Sequence, residues 1–348
     1  MWGIPPSWGP CGLDAVDWSL AAPFTVTMLI GSFVGSLLGH RLPTKDSLRA
    51  FATLLVLVAL GNGIVAGPRS SGDVRGSGMP IVTVVDLDDA RLSDYRHLRA
   101  PNVRARVERN AGIFTVEGWL SLEALAESPY PVRSALVATK HVARAESLVG
   151  PAVPIYAIEE SALERVTGVH FHRGVVGVAE RPTAQTPDAV LAGARRVLAL
   201  EGVNDYENLG ALFRNAVAFG VDAVLLDPTT ADPLYRRTTR VSLGHVLRVP
   251  FARVGSESWP TILSELRREG MAVLALTPAP DAAQLGPVVE HLPDRVCMLV
   301  GAEGPGLTDD AMALADHRVR IPMTPGTDSV NVATAAAIAL AALYQQRG

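Results

Sequence analysis

The chain contains few cysteines, few aromatic residues and no surplus of positive charge, and each shortage excludes a class of protein. Its 348 residues include two cysteines, Cys11 and Cys297, with no CxxC or Cys/His spacing. Two widely separated cysteines exclude a disulfide framework and provide no zinc-binding motif, so we expect no metal site. They also favour a reducing compartment, the cytoplasm. Aromatic residues are 5% of the chain, which disfavours an aromatic-rich β-sandwich. A formal net charge of −4 is not typical of a general nucleic-acid binder.

One segment, residues 91–109, departs locally from this acidic balance. Its only acidic residues are Asp94 and Glu108. Six arginines accompany them: Arg91, Arg96, Arg99, Arg104, Arg106 and Arg109. Taken alone, such a run is typical of a solvated helix face. The alternative interpretation, a local handle for RNA, depends on the motifs described below.

Residues 1–78 form an apolar extension followed by a linker. Two apolar stretches, 20–38 and 50–66, flank a loop that carries Arg and Lys residues, and each is close to the ~20 residues that span a bilayer. This pattern predicts a membrane hairpin with its loop in the cytoplasm. The Gly/Ser-rich linker and the following Met79 are also typical of an over-extended gene start or a fusion remnant. Both interpretations stay open, and a membrane tether follows only if residues 20–66 are expressed and inserted.

Residues 79–182 predict a small α/β domain. Short apolar runs that favour strands alternate with segments of helical periodicity. The strands are expected at 134–138 and 154–158, with a turn and a further strand within 170–180, and the helices at 117–127 and 161–167. Pro182 and Pro187 then mark a linker.

Residues 195–348 repeat the order strand, loop, helix. The expected strands lie at 197–200, 223–226, 272–276, 296–300 and 318–321. An alanine-rich helix is expected at about 331–346. Near-continuous apolar strands that alternate with helices predict a parallel sheet covered on both faces. Ligands of such sheets bind at the carboxyl ends of the strands, where three unusual loops lie.

The first loop, within residues 201–220, contains Asn208, Gly210 and Arg214. We expect a helix to begin near Asn208, with the Asn208 side chain as its N-cap. Arg214 then lies within two turns of the helix start, where it could hold a phosphate by a bidentate contact. An ordinary capped surface helix would give the same pattern.

The second loop, LVGAEGPGL at 299–307, places Glu303 among Gly301, Gly304 and Gly306. Glycines permit a tight turn and let a ligand approach the main chain closely. The spacing is not that of a dinucleotide-binding fingerprint, and no Walker lysine follows. A purely structural turn is the alternative.

The third loop follows a strand that is expected to end at Ile321. Ser329 and Asn331 then open the long C-terminal helix, whose first positions are small residues. Small side chains there allow another chain segment or a cofactor to pack closely. An ordinary N-capped helix is the alternative.

The order and spacing of the three loops together resemble the motifs of the SpoU (TrmH) branch of the SPOUT methyltransferases. The resemblance rests on Asn208, Gly210 and Arg214, then on VGAEGPG at 300–306, then on the run from Ile321 to Val332, and it covers about residues 198–344. Residues 83–180, with VEGWLSLEAL and the HFHRGV run, resemble the small α/β RNA-binding domain often found upstream in this family.

The resemblance implies an α/β fold in which a parallel-sheet methyltransferase domain is tied in a trefoil knot, preceded by the small RNA-binding domain and the apolar N-terminal extension. Family members bind S-adenosyl-L-methionine in the knot, mostly through backbone atoms, and act as homodimers. Carried over by motif, the cofactor site consists of Thr277, Val300, Gly301, Ile321, Met323 and Val330.

The reaction that the resemblance implies is methyl transfer to a ribose 2′-hydroxyl of RNA, with rRNA favoured over tRNA. The implied catalytic residues are Arg214, Asn208, Glu303, Ser329 and Asn331. Because an arginine keeps its proton, with a pKa above ~12, Arg214 is expected to hold phosphate and stabilise the developing alkoxide. Two alternatives stay open: a non-catalytic knotted RNA-binding or assembly factor, and a methyltransferase that acts on the base.

Three positions depart from the family's usual pattern. Val330 replaces a leucine and Ala333 a serine in the third motif, and His245 stands where a small residue is usual. A lone histidine at such a position is more often a packing or capping residue than a catalyst. These departures bear on substrate choice more than on activity.

Overall fold

The computed structural model of the protein describes residues 81–169 and 174–345. These residues belong to one compact unit, Ser77–Gly348. The predicted apolar extension, its membrane hairpin and the HFHR part of the 170–180 run lie outside the described residues. Within the described ranges, no helix has the length and apolar character needed to cross a bilayer.

The first sheet, called the N-sheet, mixes parallel and antiparallel pairs. Its strands are β1 (Ile81–Thr83), β2 (Ile113–Glu117), β3 (Val132–Ala138), β4 (Ile155–Ile158) and β5 (Val175–Glu180). They lie in the spatial order β1-β4-β3-β5-β2. Strand β5 runs antiparallel to both β2 and β3, whereas β4 is parallel to β1 and β3.

The second sheet, called the C-sheet, is parallel in every described pair. Its strands are β6 (Arg196–Glu201), β7 (Ala223–Leu226), β8 (Phe251–Arg253), β9 (Ala272–Leu276), β10 (Ala283–Gln284), β11 (Val296–Gly301) and β12 (His317–Arg320). They lie in the order β10-β12-β9-β11-β6-β7-β8. Strand β11 is therefore inserted between β6 and β9, so the carboxyl ends of these three strands meet at one edge.

Helices cover both sheets. Those of the N-sheet region are α1 (Pro101–Ala111), α2 (Trp119–Ala126), α3 (Val142–Val149) and α4 (Glu160–Thr167). Those of the C-sheet region are α5 (Pro187–Leu191), α6 (Tyr206–Ala218), α7 (Arg236–Val241), α8 (Trp259–Arg268), α9 (Leu285–Val289), α10 (Asp309–Leu314) and α11 (Val332–Gln345). A 3₁₀ turn at His245–Leu247 follows α7.

Successive side chains of a strand point to opposite faces of the C-sheet, and both faces are buried. Leu198 and Leu200 of β6 join α6 and α11 in one core cluster, whereas Val197 and Ala199 join α8 in another. The expectation of a parallel sheet covered on both faces is confirmed. The first of these clusters continues into α2 and α3 of the N-sheet region, so one apolar core joins the two sheets.

Side-chain contacts also join the two sheets. Arg236 of α7 donates to a Glu117 carboxylate oxygen at the end of β2 and to the Leu98 carbonyl oxygen. Arg181 forms an ion pair with Asp232 at 2.9 Å. The Arg236–Glu117 pair is largely buried, with exposed fractions of 11% and 12%, so it holds the regions together where water screens it little.

The expected strands at 223–226 and 272–276 coincide with β7 and β9, and the strand expected to end at Ile321 ends at Arg320. The short strands β1, β2, β8 and β10 were not predicted. Strands β1 and β10 have two or three residues and lie at sheet edges. Such segments show too little periodicity to be recognised from sequence.

The arginine-rich segment is partly structural, which neither interpretation of it anticipated. Arg104 is fully buried, with its Nε 2.9 Å from Glu108 Oε1 and its Nη1 2.6 Å from the Asp94 carbonyl oxygen. Arg91 is held by Asp89. A fully buried arginine can be neither a solvated surface residue nor a handle for RNA.

Candidate active site

A cavity of about 360 Å³ opens at the carboxyl ends of β9, β11 and β12. Its walls include the six residues expected to bind the cofactor: Thr277, Val300, Gly301, Ile321, Met323 and Val330. Glu303, Ser329 and Asn331, three of the five expected catalytic residues, also line it. The second and third loops of the sequence therefore form one concave site at the expected edge of the sheet.

Gly301 ends β11 at a point where the chain folds back on itself. A Cβ atom at Gly301 would lie 2.3 Å from the carbonyl carbon of Gly306 and 2.4 Å from the Leu307 nitrogen. An antiparallel bridge between Ala302 and Gly306 holds the return. Only glycine fits there, because any side chain would collide with backbone that cannot move aside.

The opposite side of this loop is open. Gly304 and Gly306 have φ values of +90° and +74°, and nothing lies within 4 Å of a Cβ built on either. Their bare main chain therefore borders the cavity, where N–H and C=O groups can meet a ligand.

Asn331 joins the three loops. Its Nδ2 donates to Asn208 Oδ1 and to Glu303 Oε1, each at 2.8 Å. Its Oδ1 accepts from the backbone N–H groups of Ala333 and Thr334, which makes Asn331 the N-cap of α11. One side chain thus sets the start of the C-terminal helix and connects the first and second loops at the rim of the cavity.

The N-terminus of α6 corrects one expectation. The helix begins at Tyr206, and its cap is Asp205, whose carboxylate accepts from the N–H groups of Glu207 and Asn208. Asn208 is therefore inside the first turn, not the cap. This leaves its side chain available to accept the hydrogen bond from Asn331. The expected helix start near Asn208 is wrong by two residues, and Asp205 is also a residue type that favours the N-cap position.

Arg214 is exposed on α6, outside the residues that line the cavity. Within the described ranges its guanidinium forms no hydrogen bond or ion pair. The nearby 3₁₀ turn carries His245, whose pKa is lowered by burial and by the positive charges of Arg248 and Arg214. The imidazole is therefore neutral at neutral pH, and Arg214 remains a free cation beside it.

Sequence reasoning missed Glu201, the last residue of β6. It is 7% exposed, its Oε1 accepts from Thr308 Oγ1 at 2.7 Å, and burial raises its pKa. Thr308 follows the glycine loop and caps α10. Glu201 thus holds the end of the glycine loop at Thr308, where helix α10 begins. A charged residue that ends an otherwise apolar strand was the available signal.

Asn215 was also missed. Its Nδ2 donates to the Ala333 carbonyl oxygen at 2.8 Å, which ties α6 to the first turn of α11. The helix that carries Arg214 and the helix capped by Asn331 are therefore fixed relative to each other.

Comparison with known proteins agrees with this geometry. The sequence profile described as the SpoU rRNA Methylase family matches residues 195–341. An uncharacterised tRNA/rRNA methyltransferase of Mycobacterium bovis is 43% identical over 264 residues, which are 75% of this chain and 91% of that protein. A 23S rRNA (guanosine(2553)-2′-O)-methyltransferase of Bacillus subtilis is 30% identical over 74% of this chain and 96% of its own length.

Solved structures show the same fold. An AdoMet-bound rRNA methyltransferase from Sinorhizobium meliloti superposes with a TM-score of 0.65 at 24% identity, over 76% of this chain and 98% of that one. The SpoU methyltransferase AviRb from Streptomyces viridochromogenes, in complex with AdoMet, gives a TM-score of 0.63 at 24% identity, over 74% of this chain and 99% of that one.

Proposed function

The chain belongs to the SpoU rRNA methylase family, and we propose that it transfers a methyl group from S-adenosyl-L-methionine to a ribose 2′-hydroxyl of RNA. The observation that carries the proposal is the hydrogen-bonded set Asn208–Asn331–Glu303 at the rim of the cavity, with the free cation Arg214 on the same helix as Asn208. The 2′-O activity named for the Bacillus subtilis relative supports it.

The cavity suits S-adenosyl-L-methionine. Leu276, Val300 and Ile321 provide apolar walls for an adenine ring, and the open main chain at Gly304 and Gly306 provides polar contacts without charge. A volume of about 360 Å³ lies within the range for small-molecule sites. Bound there, the cofactor would supply an electrophilic sulfonium methyl group.

The chain's own residues would then orient the ribose and stabilise charge. Arg214, always protonated, binds a phosphate of the RNA and stabilises the developing alkoxide. Asn331 fixes the Glu303 carboxylate and the Asn208 amide, and Ser329 lies beside them on the cavity wall. Positioning of the two reactants is the main requirement, because a sulfonium is already a good leaving group.

Other parts of the chain extend the proposal. Residues 195–348 would be the methyltransferase domain, tied in the trefoil knot that membership of this family implies. Residues 79–182 would be an RNA-binding domain. Ile338, an exposed large apolar residue on α11, supports a homodimer. We favour rRNA over tRNA as the substrate and the cytoplasm as the site of action.

The test is a methylation assay with the full chain, radiolabelled S-adenosyl-L-methionine and separate rRNA and tRNA pools. We expect label in rRNA that survives alkali as a dinucleotide, because a 2′-O-methyl group blocks cleavage of the next phosphodiester. Arg214→Ala should lose at least ~100-fold in kcat/KM, as expected for loss of a group that stabilises transition-state charge. Arg268→Ala, exposed on α8 at the other face of the C-sheet, is the matched control and should keep full activity.

Other outcomes would replace the proposal. Alkali-labile label in nucleobases would identify a base-directed enzyme. If calorimetry shows cofactor binding but no label appears in rRNA, in tRNA or in ribosomal assembly intermediates, the protein is a non-catalytic RNA-binding factor.

A further inference from the structure

An aromatic and cationic cluster lies on the N-sheet region, away from the cavity. Trp119 opens α2 and is half-buried. The guanidinium carbon of Arg144, from α3, lies 4.2 Å from the centroid of the indole ring. His141 meets the same ring edge-on, with centroids 5.4 Å apart. Trp119 and Arg144 together are called the Trp–Arg stack.

Arg144 holds this position without an acidic partner. Its side chain is exposed, and within the described ranges its guanidinium forms no ion pair. Glu123 and Glu146 lie on the same two helices and are also exposed, but neither bonds to Arg144. The guanidinium carbon lies over the indole ring and the Arg144 side chain is exposed, so the planar guanidinium can present a flat cationic surface to a ligand.

The Trp–Arg stack continues the surface that carries Arg214. Helix α6 packs against the 3₁₀ turn at His245, and this turn packs against the start of α2. A Cβ atom at Gly244 would lie 2.5 Å from Ala124 Cβ and 3.5 Å from the Leu120 carbonyl oxygen. Leu120, the neighbour of Trp119, is 49% exposed. The helix that carries Arg214, the turn that carries His245 and the helix that carries Trp119 therefore pack in succession across the junction of the two regions.

We propose that the Trp–Arg stack binds an unpaired nucleobase of the substrate RNA, a few nucleotides from the ribose that is methylated. The inference rests on the proposed function, and it identifies the substrate as a single-stranded loop or bulge. Proteins hold unpaired bases by stacking them on aromatic rings and on arginine guanidinium planes. The base would lie on the outer face of Arg144, completing a three-layer stack. A duplex cannot use this site, because its bases are already stacked and paired.

The test measures RNA binding and methylation separately with the full chain. Binding is followed by fluorescence anisotropy of labelled single-stranded oligo(A) and of the same strand paired with oligo(U). Arg144→Ala should weaken binding of the single strand about tenfold, as expected for the loss of one stacked base, with little effect on the duplex. With the methylated RNA pool as substrate, KM for RNA should rise by a similar factor while kcat stays unchanged.

Two matched variants separate stacking from charge and from folding. Arg144→Lys keeps the positive charge but loses the plane, so we expect it to bind the single strand nearly as poorly as Arg144→Ala. Arg165→Ala removes an exposed arginine from α4, which packs on the opposite face of the N-sheet, and should bind like the wild type. Trp119→Phe keeps an aromatic ring in the partly buried position and should lose less than Arg144→Ala.

Each remaining outcome is decisive. Wild-type affinity for the single strand in Arg144→Lys would show a simple charge effect and overturn the stacking site. Equal losses of affinity in Arg144→Ala and Arg165→Ala would do the same. Equal weakening of single strand and duplex would overturn the assignment to unpaired RNA. If the wild type discriminates single strands through Arg144 but methylates no RNA, the proposed function fails and the binding site stands. A wild type that binds no RNA overturns both.

Discussion

At the scale of single residues, the site depends on side chains that perform two tasks at once. Asn331 caps α11 with its oxygen and joins Asn208 to Glu303 with its nitrogen. The amide carries its acceptor oxygen and its donor nitrogen as separate atoms of one short group. The two tasks can therefore be separated by substitution.

Asn331→Ala should lose about 1 kcal/mol of unfolding free energy, because the cap is removed, and should also lose methyl transfer. Asn331→Asp keeps the capping acceptor but cannot donate to Asn208 or Glu303. We expect urea unfolding to show a retained cap that is partly offset by repulsion between the new carboxylate and that of Glu303, together with a loss of at least about tenfold in kcat/KM. Wild-type activity in Asn331→Asp would contradict a role for the donated hydrogen bonds.

At the scale of elements, helix α6 lies unusually close to α7. A Cβ atom at Gly210 would be 2.8 Å from Val241 Cβ and 3.0 Å from the Thr238 carbonyl oxygen. The contact sets how far α6 stands from the N-sheet region, because α7 carries the Arg236 contacts to Glu117. Gly210 is therefore a packing residue within the first motif, and the motif's Asn208 and Arg214 depend on its small size.

Gly210→Ala should destabilise the fold by about 1–3 kcal/mol, the usual cost of forcing extra volume into a packed contact. Gly286→Ala is the matched control. It lies in helix α9, and nothing is within 4 Å of the added Cβ, so helix propensity alone predicts a small gain of up to about 1 kcal/mol. Chemical unfolding of both variants measures the difference, and equal stabilities would refute the close packing of α6 on α7.

At the scale of the whole molecule, the two sheets of the described unit share one apolar core and several ion pairs. The Trp–Arg stack lies on helices of the N-sheet region, whereas Arg214 lies on a helix of the C-sheet region. A single RNA strand can therefore contact both only while the two regions stay packed together. The junction is therefore a functional element as well as a stabilising one.

Arg236→Ala should lower the unfolding free energy by up to about 3 kcal/mol, because among the described residues it leaves the buried Glu117 carboxylate with only the longer ion pair to Arg240. Arg237→Ala, the neighbouring control, breaks an exposed pair with Glu207 and should cost less than about 1 kcal/mol. Hydrogen exchange should show faster opening of α2 and α7 in Arg236→Ala. Indistinguishable effects of the two substitutions would show that the ion pair does not hold the junction.

Much of the fold followed from local sequence patterns. Apolar strands such as β7 and β9 are visible because a parallel sheet covered on both faces needs continuous apolar runs. The long helix α11 follows from alanine-rich composition. The placement of the glycine loop and of the residues around Asn331 at the carboxyl edge follows from the general behaviour of such sheets.

What the sequence alone determined is the set of elements and the chemistry of the loops, since backbone preferences and apolar periodicity act over a few residues. Tertiary structure decided which competing partner each polar group took. With Asp205 capping α6, the Asn208 side chain accepts instead from Asn331, which lies 123 residues later in the chain. Arg104 became buried because Glu108 and the Asp94 carbonyl oxygen lie within its reach. The Asn208–Asn331 contact joins residues far apart in the chain, and the burial of Arg104 depends on how helix α1 packs in the fold, so no local pattern records either of them.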